Sequence, residues 1–249
     1  MLNEGDWVLI RYGDRSYLRR LEKGGSLNVR RDTLRFSEVI GKPEGIRIGK
    51  FEVFRPALED LILLGFRRKT QIIYPKDAFY IAFKLGIGRN SRVLEFGTGS
   101  GALCAVLSEL AGEVHTYEVV EEFHRLAVSN MKRYGLGENV VFHLGDFGEA
   151  EVEEALFDCA FVDVRDPLPY LEKLHRVLRD SAPLGFLLPT ANQVVELLKE
   201  LKPLFGGVEV LEILHRHYKT LPERFRPEDT MIGHTAYLVF CRKVTAPDK

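Results

Sequence analysis

One short run constrains this chain more than any other: Val93-Leu94-Glu95-Phe96-Gly97-Thr98-Gly99-Ser100-Gly101-Ala102-Leu103. Residues 92–96 read as a buried strand that stops at Gly97. Three glycines follow at alternate positions, and an apolar, helix-favouring stretch begins at Ala102. Glycines so placed let the backbone take left-handed conformations and come close to a ligand, and they aim the next helix's N-terminus at it. A strand, a glycine turn and a helix in that order form the repeating unit of a parallel sheet with helices on both faces. A chain of 249 residues, 45% apolar, has the material for such a core.

The neighbouring sequence continues the alternation. Helices are predicted over 77–85, 102–110, 121–134, 168–178 and 194–204. Strands are predicted over 92–96, 113–118, 140–144, 159–163 and 185–188. Two final strands, 208–214 and 236–241, have no helix between them, which predicts an antiparallel pair at one edge of a doubly wound α/β sheet. The first part of the chain differs. Short strand-like runs at 7–10, 16–18, 46–48 and 51–54 are separated by Gly13-Asp14, Gly24-Gly25 and Gly49-Lys50, so a small N-terminal β domain is expected over 1–66, with the α/β domain over 67–249.

Composition excludes several classes. No window approaches the roughly 20 apolar residues of a membrane span. The start, Met1 to Asp6, lacks a signal-peptide pattern, and a cytoplasmic protein is expected. Cys104, Cys159 and Cys241 are odd in number and far apart, which argues against a disulfide scaffold, and no Cys/His spacing suits zinc, so no metal is expected. The acidic run at Glu149, Glu151, Glu153 and Glu154 reads as a solvated helix face. Taken alone, the formal net charge of −1 disfavours a nucleic-acid partner, yet residues 1–69 carry 15 Lys+Arg against 10 Asp+Glu, a local excess of five positive charges. The remainder therefore carries an excess of six negative charges.

Those negative charges have a pattern. Glu95 lies within the first strand of the turn, Glu118 ends the second, Asp146 follows the third, and Asp163 ends the fourth. The carboxyl ends of strands are where open α/β sheets bind ligands, so four acids converge on one crevice. Gly97, Gly99 and Ala102 also satisfy the dinucleotide pattern, and Glu118 stands where a ribose-binding acid belongs, so a nicotinamide cofactor remains a rival. An acid at Glu95 repels a pyrophosphate and attracts a cationic methionine group, which favours S-adenosyl-L-methionine. Asp146 followed by Phe147 suits an adenine amino group and ring face.

Three further segments are similar to a known family. Gln71-Ile72-Ile73-Tyr74-Pro75-Lys76-Asp77, Pro189-Thr190-Ala191-Asn192-Gln193, and the closing runs Arg224-Phe225-Arg226-Pro227 and Gly233-His234-Thr235-Ala236 resemble tRNA (adenine-58-N1)-methyltransferases of bacteria and archaea. The resemblance covers nearly the whole chain. It implies a Rossmann-like class I methyltransferase sheet, transfer of a methyl group from S-adenosyl-L-methionine to N1 of adenine 58 in the tRNA T-loop, and a homotetramer. It also implies Asp163 as the catalytic aspartate and a cofactor site including Gln71, Ser100, Gly101 and Leu103. Substrate contacts are implied at Tyr74, Asn192, Gln193, Arg226 and His234, with the N-terminal β domain serving tRNA contact or oligomerisation.

The residue types suit that chemistry. Adenine N1 is itself a nucleophile, so positioning supplies much of the catalysis. A carboxylate at Asp163 would accept a hydrogen bond from the base's N6 amino group as positive charge develops. The base must leave the folded loop to react. One departure stands beside Asp163: where the family has a leucine and soon a proline, this chain reads Val164-Arg165-Asp166-Pro167. Two alternatives are a class I methyltransferase acting on a protein or small molecule, and a non-catalytic RNA-binding subunit.

Overall fold

A computed structural model describes residues 1–245, which fall into two compact units dividing after Arg67. In the first unit, strands β1 (Trp7–Tyr12), β2 (Arg15–Arg20), β3 (Ser26–Val29), β4 (Asp32–Arg35), β5 (Ile46–Ile48) and β6 (Phe51–Phe54) are followed by one helical turn, α1 (Leu58–Asp60). Four of them form an antiparallel sheet in the order β2-β1-β6-β5. The alternation Val8, Ile10, Tyr12 puts one face of β1 into a core shared with Phe51 and Val53. The β3/β4 hairpin forms a separate two-stranded ribbon that the sequence pattern does not predict. Its turn, Val29-Arg30-Arg31-Asp32, lacks glycine or asparagine, and Arg30 itself takes the left-handed conformation at φ 57°.

The second unit holds α2 (Pro75–Lys84), β7 (Arg92–Phe96), α3 (Ala102–Leu110), β8 (Glu113–Glu118), α4 (Glu121–Arg133), β9 (Val140–Leu144), β10 (Cys159–Val162), α5 (Leu171–Val177), β11 (Pro183–Leu188), α6 (Ala191–Leu201), β12 (Phe205–Leu211) and β13 (Tyr237–Lys243). They build a seven-stranded sheet in the order β12-β13-β11-β10-β7-β8-β9. The five strands from β7 to β11 are mutually parallel, and β13 runs antiparallel to both β11 and β12. The expected antiparallel pair is present, but the later strand is inserted between β11 and the edge strand β12. All four residues of β10 are buried, as a strand covered on both faces requires. Its Phe161 is packed closely enough on Gly185 of β11 that a β-carbon there would lie 2.7 Å from the ring.

The three cysteines are buried and unpaired. The acidic run at 149–154 is not a helix face: it lies in turn and irregular structure between β9 and β10. No helix among the described residues is long and apolar enough to cross a membrane.

Candidate active site

The three glycines after β7 all take positive φ, at 91° for Gly97, 56° for Gly99 and 82° for Gly101. Gly97 has a second requirement, because a β-carbon there would lie 2.0 Å from the carbonyl oxygen of Asp163. Gly101 caps α3, and a β-carbon there would lie 3.3 Å from Cβ of Ala127 in α4. The turn is fastened to β8, with the Gly97 N–H donating to the Tyr117 carbonyl at 3.0 Å.

Parallel pairing then brings the acids together. The Asp163 N–H donates to the Phe96 carbonyl at 3.0 Å, which carries Asp163 to the exit of β7. Glu95 is buried within β7 and accepts a hydrogen bond from Thr116 Oγ1 at 2.7 Å. Burial, reinforced by the charge of Asp163, pushes the Glu95 carboxyl up to about 7, with the Thr116 bond opposing the shift. Burial and the neighbouring Glu118 charge likewise push Asp163 up to about 7. Glu118 accepts from the N–H groups of Gly99 and Val120, each at 2.9 Å. It therefore holds the glycine turn and the exit of β8 in one place.

These groups line a cavity of about 560 Å³. Gln71, Ile72 and Ile73 form one wall, and Ala102 and Leu103 from α3 another. Ser100 Oγ is buried with no hydrogen-bond partner, although its residue lines the cavity. The hydroxyl itself is turned away from the open cavity, so other atoms of Ser100 supply its part of the lining. Sequence reasoning missed Val119, Val120 and Phe123 on the cavity wall. A signal was present: two valines follow Glu118 directly, and Val119 is 63% exposed at a strand exit, where a flat apolar ring can cover it.

The wall carrying Gln71 is pinned at both ends. Lys69 pairs with Glu122 of α4. At the start of α2 the Lys76 ammonium bonds both Asp77 carboxylate oxygens at 2.8 Å, the Ile213 carbonyl at 2.8 Å and Thr235 Oγ1 at 3.1 Å.

Other expected residues are elsewhere. Phe147 does not face the cavity: it is 1% exposed and stacks on Phe96 at 4.8 Å between ring centroids. Asp146 is not on the cavity wall, and its carboxylate accepts from the Gly148 N–H at 2.7 Å. The Lys173 ammonium of α5 binds the carbonyls of Phe147, Gly148 and Ala150 and ties this loop to the core. Tyr74 is half-buried at the N-cap of α2, beside the wall segment but not part of the cavity lining. Asn192 is exposed in the first turn of α6. Gln193 is committed to protein partners, accepting from Thr190 Oγ1 at 2.7 Å and donating to the Arg165 carbonyl at 2.9 Å. Arg226 pairs with Asp229. His234 bonds Glu212 and the Pro189 carbonyl, and both contacts hold its imidazole above the ordinary histidine range, Glu212 foremost.

The profile of a family described as "tRNA methyltransferase complex GCD14 subunit" matches residues 53–229. The chain belongs to this family. The tRNA (adenine(58)-N(1))-methyltransferase TrmI of Thermus thermophilus is 37% identical over 199 residues, covering 78% of this chain and 77% of that protein. Among solved structures, the tRNA (m1A58) methyltransferase TrmI from Aquifex aeolicus is 62% identical, with a TM-score of 0.95 over 98% of this chain and 99% of that one. A Thermotoga maritima structure titled SAM-dependent O-methyltransferase is 39% identical, with a TM-score of 0.91 over 100% of this chain and 96% of that one. The family's match begins at residue 53, so it takes in β7 to β12 and every residue on the cavity wall.

Proposed function

We propose that the protein transfers a methyl group from S-adenosyl-L-methionine to N1 of adenine 58 in tRNA. The observation that carries this reading is the arrangement of three carboxylates, Glu95, Glu118 and Asp163, around one cavity. Those acids suit a cationic cofactor, and the cavity volume of about 560 Å³ lies in the range of small-molecule sites. When bound, S-adenosyl-L-methionine supplies an electrophilic methyl group on a sulfonium.

The chain's own residues do the rest. Glu118 offers a carboxylate to a ribose, and Val119, Val120 and Phe123 cover an adenine face. Ser100 and Gln71 offer polar contacts to the cofactor, and Glu95 contributes negative charge near the sulfonium end. Asp163 accepts a hydrogen bond from the target adenine's N6 amino group, so that charge developing on the base meets a carboxylate. The base reaches this pocket by leaving its stack. The basic N-terminal unit supplies phosphate contacts for tRNA.

We place the active form as a homotetramer in the cytoplasm, as the family resemblance implies. Phe79 and Phe83, one helical turn apart on α2, are 47% and 79% exposed and provide apolar surface for a second copy. The decisive experiment incubates purified protein, tRNA transcript and cofactor, then maps modified nucleosides by mass spectrometry. 1-Methyladenosine at position 58 is the expected product. A 2′-O-methylated nucleoside would replace this reading with the O-methyl chemistry of the Thermotoga maritima relative's description, and unmodified RNA would remove it.

A further inference from the structure

The loop after Asp163 is built to present one cation. Asp163 and Val164 pack on the glycine turn, with Val164 Cγ1 lying 3.3 Å from where a Gly97 β-carbon would sit. Pro167 is buried. Between them the chain turns outward, and Arg165 is exposed at the rim of the cavity. Its carbonyl is fixed by Gln193 Nε2 at 2.9 Å, and Gln193 is fixed in turn by Thr190. The adjacent acid does not neutralise it: Asp166 Oδ1 accepts from the Leu168 N–H at 3.2 Å, at the start of the next helical turn. Among the described residues the Arg165 guanidinium has neither a hydrogen bond nor an ion pair.

The charge around it is one-sided. Glu95, Glu118 and Asp163 face the cavity, and Arg165 is the cation on its lining among the described residues. A polyanion approaching that mouth meets carboxylates unless a cation stands at the edge. Arg165 lies two positions beyond Asp163 on the same irregular loop, beside the carboxylate at which the target base is placed.

We infer that Arg165 is an RNA-binding residue that holds a backbone phosphate of the nucleotide entering the pocket, with Gln193 as the positioning residue that fixes its main chain. The inference rests on the tRNA reading above. A planar guanidinium engages two phosphate oxygens at once, so it fixes the orientation of the entering nucleotide as well as its approach. Gln193, expected from the sequence to touch substrate, would act through Arg165 instead.

The test uses the full-length protein with tRNA transcript at several salt concentrations. Arg165→Ala is expected to raise KM for tRNA about tenfold or more and to lower the slope of log affinity against log salt by about one, with kcat changing less than KM. S-adenosyl-L-methionine affinity, read by calorimetry, stays within about twofold. Arg165→Lys, which keeps the charge but not the fork, is expected to keep the salt slope and to recover part of the affinity. Gln193→Ala is expected to raise KM without changing the salt slope. An unchanged KM and slope in Arg165→Ala would overturn the inference while wild-type methylation still stood. Loss of cofactor affinity in that variant would overturn it too, by assigning the guanidinium to the cofactor's carboxylate. A lysine variant with the alanine variant's reduced slope would also count against a phosphate contact. If the wild-type protein left tRNA unmodified, the underlying reading would fall and not this assignment alone.

Discussion

The carbonyl of Asp163 rests on Gly97 so closely that a β-carbon on the glycine would lie 2.0 Å from it. The two residues are 66 positions apart, and parallel pairing of β7 with β10 brings them together. The proposed catalytic carboxylate and the glycine turn are therefore one rigid object. Gly97→Ala combines this clash with an L-residue at φ 91°. It is expected to cost about 3 kcal/mol or more in stability and to displace Asp163. Chemical denaturation and cofactor titration check both effects, and a near-normal midpoint would show that the turn yields more easily than its contacts imply.

Asp163→Asn keeps the shape and removes the charge. Turnover is expected to fall by about 10² to 10⁴, with tRNA affinity changing little, because the lost interaction is made to charge that develops during transfer. Single-turnover kinetics at saturating cofactor measure the effect. Retained turnover would mean that the side chain only fills space.

The pH dependence follows from the raised carboxyls. Ordinary values of 3.8 for Asp163 and 4.5 for Glu95 become about 7 in the folded protein. Between those limits the folded, ligand-free protein binds more protons than the unfolded chain. The contribution of these groups to stability is thus complete at the acid end and is lost as pH rises to about 7. A cationic ligand works in the opposite direction by favouring the ionised acids. S-adenosyl-L-methionine affinity should rise with pH up to about 7, by at most about tenfold per unit for each proton released. Calorimetry in buffers of different ionisation enthalpy counts those protons. The neutral thioether product should show a weaker dependence, and equal dependence for both ligands would separate the acids from the cation.

Glu118→Ala removes the acceptor for the Gly99 and Val120 N–H groups along with the proposed ribose partner. Cofactor affinity is expected to drop about tenfold to a hundredfold, as for a charged hydrogen bond worth about 1.5–3 kcal/mol. Fluorescence or calorimetric titration reads the loss. Unaltered affinity would leave Glu118 with the turn alone.

Phe147→Leu tests whether that ring serves the core or the cofactor. A core residue stacked on Phe96 should cost stability, about 1 kcal/mol or more, and leave cofactor affinity nearly unchanged. A large affinity loss with little destabilisation would return Phe147 to the cofactor site.

These residues also show what could be read from the sequence. The glycine turn, the acid within β7 and the acids at the exits of β8 and β10 were legible because backbone conformation and strand direction fix them locally. The path of the Asp146–Phe147 loop was less legible, since its carbonyls are bound by Lys173, an ammonium contributed from α5, 25 positions on. The direction of Gln193 depends likewise on a carbonyl 28 residues earlier. The β3/β4 hairpin escaped because its turn relies on an arginine at positive φ, with two arginines and neither glycine nor asparagine at its centre. The insertion of β13 next to β11 is a choice between neighbours of equal local quality, which only the assembled sheet makes.

That insertion bears on synthesis. Strand β11 lies bare on one side until residues 237–243 have left the ribosome, and Lys76 finds its bonds to Ile213 and Thr235 only shortly before then. The sheet on that side is closed by a strand that follows both α6 and β12 in the chain, so β11 gains its second neighbour through a non-local pairing, the kind of contact that forms slowly.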